Sequence, residues 1–354
     1  METFFDLVVV VCLGLLAERL HEHPDGAGLA IYVLVFATVW YVWTTFVLYV
    51  NLASEGTRVT VLMTAAGLIG LMTAAMFDLD ERANAFALGF ILCRVVATGA
   101  AVRTGRILTS WPVARTGALT APWIVSLWVD EPAKYVIWAV ALGVELAMTS
   151  LRASDDPAAV DPGRAHGFVP VGVRAEHLGE RLGLFMIIVI GEGVTEVFAA
   201  AAEAEWRRGL GLTVAGAFLT LVGLWWMTFR TGATGSLLLF PLRVALPLHM
   251  VVAGCVITFS TALGVIVPEP QEAPDTFWRL LACAGLGGWF LVGVALAARA
   301  GDPAREIALR AGPPLAALAA LAAAGADAEG MWVIVILLAA VWWAATGYRR
   351  VSPR

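Results

Sequence analysis

The stretch Gly28-Leu29-Ala30-Ile31-Tyr32-Val33-Leu34-Val35-Phe36-Ala37-Thr38-Val39-Trp40-Tyr41-Val42-Trp43-Thr44-Thr45-Phe46-Val47-Leu48-Tyr49-Val50 contains no charged side chain. At about 1.5 Å per residue, a helix of this length crosses the roughly 30 Å hydrocarbon core of a bilayer. No water reaches backbone N–H and C=O groups there, so they must pair within the segment, and the segment is a helix. Similar runs recur at 4–20, 59–76, 83–101, 113–129, 133–150, 180–202, 209–229, 244–267, 277–299, 304–324 and 331–348. The expected fold is an all-α polytopic transmembrane bundle of about twelve spans, or ten to eleven if weak segments such as the Ala-rich 304–324 are discounted.

Composition supports this reading. Of the 354 residues, 60% are hydrophobic and 14% charged, and the mean hydropathy is +0.82. A soluble domain carries about 25% charged residues, so a single water-soluble globule is excluded. The net charge is -5 and the 23 basic residues are scattered between the apolar runs, which argues against a nucleic-acid surface. The expected partner is the lipid bilayer. Cys12, Cys93, Cys255 and Cys283 all lie inside apolar runs and form no Cys-x-x-Cys pair, so they read as small buried hydrophobes. Met1 to Asp6 carries no basic leader, and the run that follows reads as the first spanning helix. No sequence pattern calls for a cofactor.

With twelve spans, one set of loops holds Arg58, Arg103, Arg106, Arg152, Arg164, Arg174, Arg230, Arg243, Arg299, Arg305 and the tail arginines Arg349, Arg350 and Arg354. The opposite set holds only Arg19, Arg82, Lys134, Arg207, Arg208 and Arg279 and is acidic instead, with Asp78, Asp80, Glu81, Asp130, Glu131, Glu269 and Glu272. Basic loops stay in the cytosol, so both termini are expected there. The main exception is Glu203 to Arg208, where the two signs balance. The Pro-, Gly-, Asp- and Arg-rich 151–179 reads as a cytoplasmic loop between a first half, 1–150, and a second half, 180–354. Trp40 and Trp225, like Arg58 and Arg243, are offset by 185 residues. Two six-helix halves of the same orientation would be a transporter-like arrangement.

Ionisable groups at bilayer depth are costly and mark functional sites. Glu2 and Asp6 stand one turn apart on one helix face. His177, Glu180 and Arg181 open the seventh span. Glu192 lies about 18 Å further along it, between Gly191 and Gly193, which thin the helix beside the carboxyl. A buried carboxylic acid that keeps its proton can relay or donate it. Arg94, Glu145 and His249 lie in the fourth, sixth and ninth spans. On the expected topology all of these face the cytoplasmic half, and Glu192 is the deepest.

Each group carries a structural reading too. Glu2, Asp6, Glu180 and Arg181 would serve as an ion-pair lattice between the first and seventh spans. Arg94 and Glu145 would form a buried pair. His177-x-x-Glu180 is half of a carboxylate metal motif in reversed order, and a metal held with Glu2 and Asp6 is the weaker alternative. Trp40, Trp43, Trp225 and Trp226 either mark the membrane interface or wall a cationic or ring-bearing substrate.

At these residues the chain resembles the bacterial low-temperature-requirement protein A family of integral membrane proteins. Glu2-Thr3-Phe4-Phe5-Asp6-Leu7-Val8 is similar to that family's opening motif. His177-Leu178-Gly179-Glu180-Arg181-Leu182-Gly183-Leu184-Phe185, followed by Ile190-Gly191-Glu192, is similar to its second. Trp225-Trp226 with the later His249 is similar to its third. The opening motif starts at Met1, without the family's short polar leader, and Gly193 stands where the family more often has Ser. The resemblance implies a multi-pass protein of a bacterial inner membrane linked to growth in the cold, and names no reaction.

Three functions follow. In the first, a proton-coupled secondary transporter of a small amphiphilic molecule uses Glu192 as proton carrier. In the second, an intramembrane enzyme, such as a prenyl or terpene cyclase, uses Glu192 as Brønsted acid and Asp6, His177 or Glu180 to take the proton back. The third is a structural or lipid-interacting protein for cold adaptation. On the first two, Trp40, Trp43, Trp225, Trp226, Arg94, Glu145 and His249 line the substrate path.

Overall fold

The computed structural model describes residues 1–53, 55–108, 119–152, 169–230, 237, 240–324 and 328–347. It is a polytopic all-α bundle, as expected. Its helices are α1 (Glu2–Glu22), α2 (Gly26–Leu52), α3 (Glu55–Met76), α4 (Leu79–Arg103), the short α5 (Ala121–Val125), α6 (Ala133–Arg152), α7 (Ala175–Glu203), α8 (Leu210–Arg230), α9 (Leu242–Ile266), α10 (Thr276–Arg299), α11 (Ala304–Ala323) and α12 (Gly330–Gly347). Among the described residues nine of these are long and apolar enough to cross a membrane. Helices α1 and α6, of 21 and 20 residues, also have the length to cross, and they carry Asp6 and Glu145.

Local chemistry sets several helix ends. The Asp25 carboxylate accepts the Gly28 N–H at 2.7 Å, and the Asp78 carboxylate accepts the Glu81 N–H at 3.4 Å. Both satisfy a backbone donor that a helix N-terminus leaves open. The described part of the fifth run is α5, with Pro122 in the first turn, followed by a 3-10 turn over Ser126–Trp128. Residues 113–118 of that expected span lie outside the described residues, as do residues 153–168 of the expected loop. The described end of that loop forms a strand, β2 (Val169–Val171), parallel to β1 (Arg106–Leu108), with Arg106 opposite Val169 and Leu108 opposite Val171. Helix α7 then begins at Ala175, one turn earlier than the hydropathy suggests.

The chain divides into two compact units. The first comprises Met1–Leu184 with Phe240–Met250, and the second Phe185–Leu239 with Val251–Arg354. In the first unit α3 packs along α4, and α1 along α2 and α3. One end of this unit gathers Arg58, the end of α4, β1 and the start of α7, where the Arg174 N–H donates to Asn51 Oδ1 at 3.3 Å. The other end gathers Asp78, Asp80 and Glu81, with Arg19 3.8 Å from Asp80. The basic and acidic ends of the charge pattern are thus separate ends of this unit.

In the second unit α8 packs on α12, and α11 on α10 and α12. Glycines set the close approaches. A Cβ at Gly285 would stand 2.8 Å from the Cys255 carbonyl oxygen, so α10 lies directly on the backbone of α9. Gly216 and Gly223 similarly admit Ile334 and Val341 of α12. Small residues at crossings bring backbones together where lipid offers no hydrophobic drive. The sign-balanced segment is also resolved: Arg207 lies 3.0 Å from Glu205, 3.4 Å from Glu269 and 3.6 Å from Glu272.

Candidate functional site

Helix α1 carries Glu2, Phe5, Asp6 and Val9 at helical spacing, and the face they share turns into the first unit. Asp6 is fully buried. Its Oδ1 accepts the Trp43 indole N–H at 2.7 Å and also pairs with the Arg181 guanidinium. Its Oδ2 is buried without a hydrogen bond. Arg181 also donates to the Glu2 carbonyl oxygen at 3.1 Å and lies 3.7 Å from the Glu2 carboxylate. Glu2 is held in addition by Arg58 at 3.8 Å and approached by His177 at 3.5 Å, an ion-pair distance without hydrogen-bond geometry.

The second half of the cluster is aromatic. Trp40, Trp43 and His249 are fully buried. The Trp40 indole N–H points to His249 Nδ1 at 3.3 Å, while Nε2 faces the Leu182 carbonyl at 3.2 Å. An acceptor at Nδ1 and a carbonyl facing Nε2 require the neutral tautomer protonated on Nε2. The His249 ring stacks on Trp43, with centroids 5.6 Å apart and planes 20° from parallel. A continuous contact path therefore runs from His177 and Glu2 through Arg181, Asp6 and Trp43 to His249.

Glu180 does not join it. It is exposed, and among the described residues it makes no hydrogen bond or ion pair. His177 and Arg181 are one turn apart and share the face toward α1, whereas Glu180 sits about 100° around the helix from Arg181. This takes Glu180 out of both the expected lattice and the metal alternative. No group of three His, Cys, Asp or Glu side chains among the described residues is placed to hold a metal. Glu2 and Asp6 are already committed to arginines.

Arg94 and Glu145 form the expected buried pair, and the structure adds a third member. The Tyr41 hydroxyl donates to Glu145 at 2.6 Å and accepts from Arg94 at 2.9 Å, and Arg94 Nε reaches Thr120 at 3.4 Å. The guanidinium carbon also lies 5.4 Å from the Tyr41 ring centroid and 5.7 Å from that of Phe90. Beside it stack Phe90, Trp123 and Trp138, with successive centroids 4.0 and 5.0 Å apart. Sequence reading missed Tyr41 because a tyrosine in an apolar run reads as one more aromatic. The i+1 relation to Trp40 was the available signal that α2 turns polar groups to two different faces.

The four expected tryptophans separate. Trp40 and Trp43 are packed and hydrogen-bonded in the first unit. Trp225 and Trp226 belong to the second unit and are 41% and 39% exposed, with Trp225 against the Phe229 ring. Arg58 meets Glu2, whereas Arg243 is exposed, so the 185-residue offset joins landmarks in unlike surroundings.

Glu192 stands near the middle of α7, in the second unit. It is half-buried, and among the described residues it has neither a counter-charge nor a hydrogen bond. Its glycines differ. A side chain at Gly191 would meet open space, while one at Gly193 would collide with Ser260 of α9. Ser260 Oγ thus lies against Gly193, and that hydroxyl donates to the Val256 carbonyl at 2.9 Å. The second unit also holds a narrow apolar cavity of about 60 Å³, bordered by Met186, Trp289, Phe290 and Arg310 and not by Glu192.

A helical bundle with ion pairs sunk between its spans is a polytopic membrane protein. The model of the bacterial low temperature requirement A protein (LtrA) family matches residues 1–348, and the chain belongs to that family. It is 27% identical over 244 residues to an uncharacterized protein of Rhizobium meliloti (strain 1021). That match covers 65% of this chain and 58% of the relative, so the chain spans under two thirds of the relative's length. No solved structure matches it.

Proposed function

We propose that this LtrA-family protein is a proton-coupled secondary transporter of a small amphiphilic molecule, with Glu192 as the proton carrier. One contrast carries the reading. The other carboxyls sunk in α1 and α6 are fixed by cations, Asp6 by Arg181 and Glu145 by Arg94. Glu192 has no counter-charge among the described residues. A carboxylate locked to a guanidinium keeps one charge state, and one without a cation changes charge as its surroundings change. Proton coupling needs a group of the second kind. The Glu2–Asp6–Arg181 lattice then serves as the fixed frame at the basic end, which the charge asymmetry assigns to the cytosol together with both termini.

The test compares cells expressing the wild type and Glu192→Gln at matched membrane levels, following small molecules in cells and medium. A compound unchanged in mass and redistributed only by the wild type supports transport. It should then move into proteoliposomes under an imposed pH gradient. A compound of altered mass or isomeric form, made only by the wild type, would replace this reading with acid–base catalysis. No difference of either kind would leave a structural role.

A further inference from the structure

The basic end of the first unit contains a cavity of about 400 Å³ that the polar lattice does not use. Arg103, at the end of α4, and Arg106, on β1, border it together with Thr57 and Thr60 of α3. Its base is apolar, where Tyr49 and Ala100 pack in a small buried cluster. Three observations give it a ligand class.

The first is charge. Arg19, Arg58, Arg82, Arg94 and Arg181, in the same unit, each have a carboxylate within 4.0 Å. Arg103 and Arg106 have none among the described residues. Arg106 gives one N–H to the Leu52 carbonyl at 3.4 Å, and its guanidinium has no other partner among the described residues. The second is placement. The backbone of Arg106 is fixed by the pairing of β1 with β2, opposite Val169. The third is composition. The charged and hydroxyl groups at the border meet an apolar base, and the volume lies within the 300–1,000 Å³ of small-molecule sites.

Two guanidiniums with adjacent hydroxyls present the donor set that phosphate oxygens accept, and arginine does so through paired N–H groups. We propose that this cavity binds the phosphate group of an amphiphile, whose apolar part lies on the Tyr49–Ala100 base. The site does not depend on the proton-carrier reading of Glu192, which lies in the other unit.

The test uses the full-length protein in maltoside micelles and measures binding by native mass spectrometry and titration calorimetry. The probes are dioctanoyl phosphatidic acid, dioctanoylglycerol and inorganic phosphate. Phosphatidic acid should bind at one molecule per chain, and Arg103→Gln/Arg106→Gln should weaken it by about tenfold or more, as expected for lost charge-assisted hydrogen bonds. Arg299→Gln, an exposed arginine of the second unit, should leave it unchanged. Arg103→Glu alone carries the test if the double variant fails to fold, because Arg103 is exposed and has no ion pair among the described residues. Equal binding of dioctanoylglycerol, or an equal loss in Arg299→Gln, overturns the site. Displacement of phosphatidic acid by inorganic phosphate at equal concentration assigns the cavity to a free anion and overturns the amphiphile.

Discussion

Asp6 and Arg181 lie 175 residues apart in the chain and meet at a single carboxylate oxygen, which also accepts the Trp43 indole N–H. Both residues are buried, so neither charge can fall back on water. Removing one partner of such a pair costs about 3–5 kcal/mol, whereas replacing both with apolar groups is often neutral. Asp6→Asn should therefore lower unfolding stability in detergent by about that amount. Asp6→Leu/Arg181→Met should recover more than half of the loss. A double variant as unstable as the sum of Asp6→Leu and Arg181→Met alone would show that the residues do not act as a pair.

Tyr41 bridges Arg94 and Glu145 by giving one hydrogen bond and taking another. Tyr41→Phe keeps the ion pair and the ring, and should cost about 1–3 kcal/mol. Glu145→Ala strands the guanidinium and should cost more, about 3–5 kcal/mol. Denaturant titration of both variants checks the order.

For Glu192 the expectation reverses. With no partner among the described residues, Glu192→Gln should change stability by less than about 1 kcal/mol and still abolish proton-coupled flux. A melting curve and a flux assay on the same preparation separate the two effects.

The glycines give a packing prediction. Gly285→Ala drives a methyl into the Cys255 backbone and should destabilise by about 1–3 kcal/mol. Gly191→Ala meets open space and should be neutral or stabilising by about 0.5–1 kcal/mol through helix propensity. Thermal unfolding of the two single variants is the comparison.

Orientation is accessible by labelling. Arg174→Cys and Glu131→Cys, in a background with the four natural cysteines replaced, should react with an impermeant maleimide from opposite sides of the membrane. Arg174 is expected on the cytosolic side. Labelling of both from outside would remove the topology.

Helix positions were legible in the sequence because hydropathy is a one-dimensional property. The expected 83–101, 277–299 and 331–348 match α4, α10 and α12 to within a turn. Partner choice was not legible. Helix α2 is apolar all round, so nothing in its pattern distinguishes the Tyr41 face, which meets Arg94, from the Trp43 face, which meets Asp6. Trp40 and Trp225 look alike in sequence, yet one is sealed in the first unit and the other is exposed in the second. The strands β1 and β2 were hidden because three-residue pairs carry no periodicity. Glu180 was grouped with its neighbours by proximity in sequence, and the helical rotation set it apart.

The pairing of Asp6 with Arg181 also constrains the order of assembly. Ribosomes add about 5–20 residues per second, so α1, which ends at Glu22, is finished roughly 8–32 s before the residue that neutralises it exists. During that interval Asp6 enters the bilayer, or waits beside the insertion machinery, without its arginine. The carboxylate of α1 is therefore made long before the guanidinium of α7 that neutralises it in the folded unit.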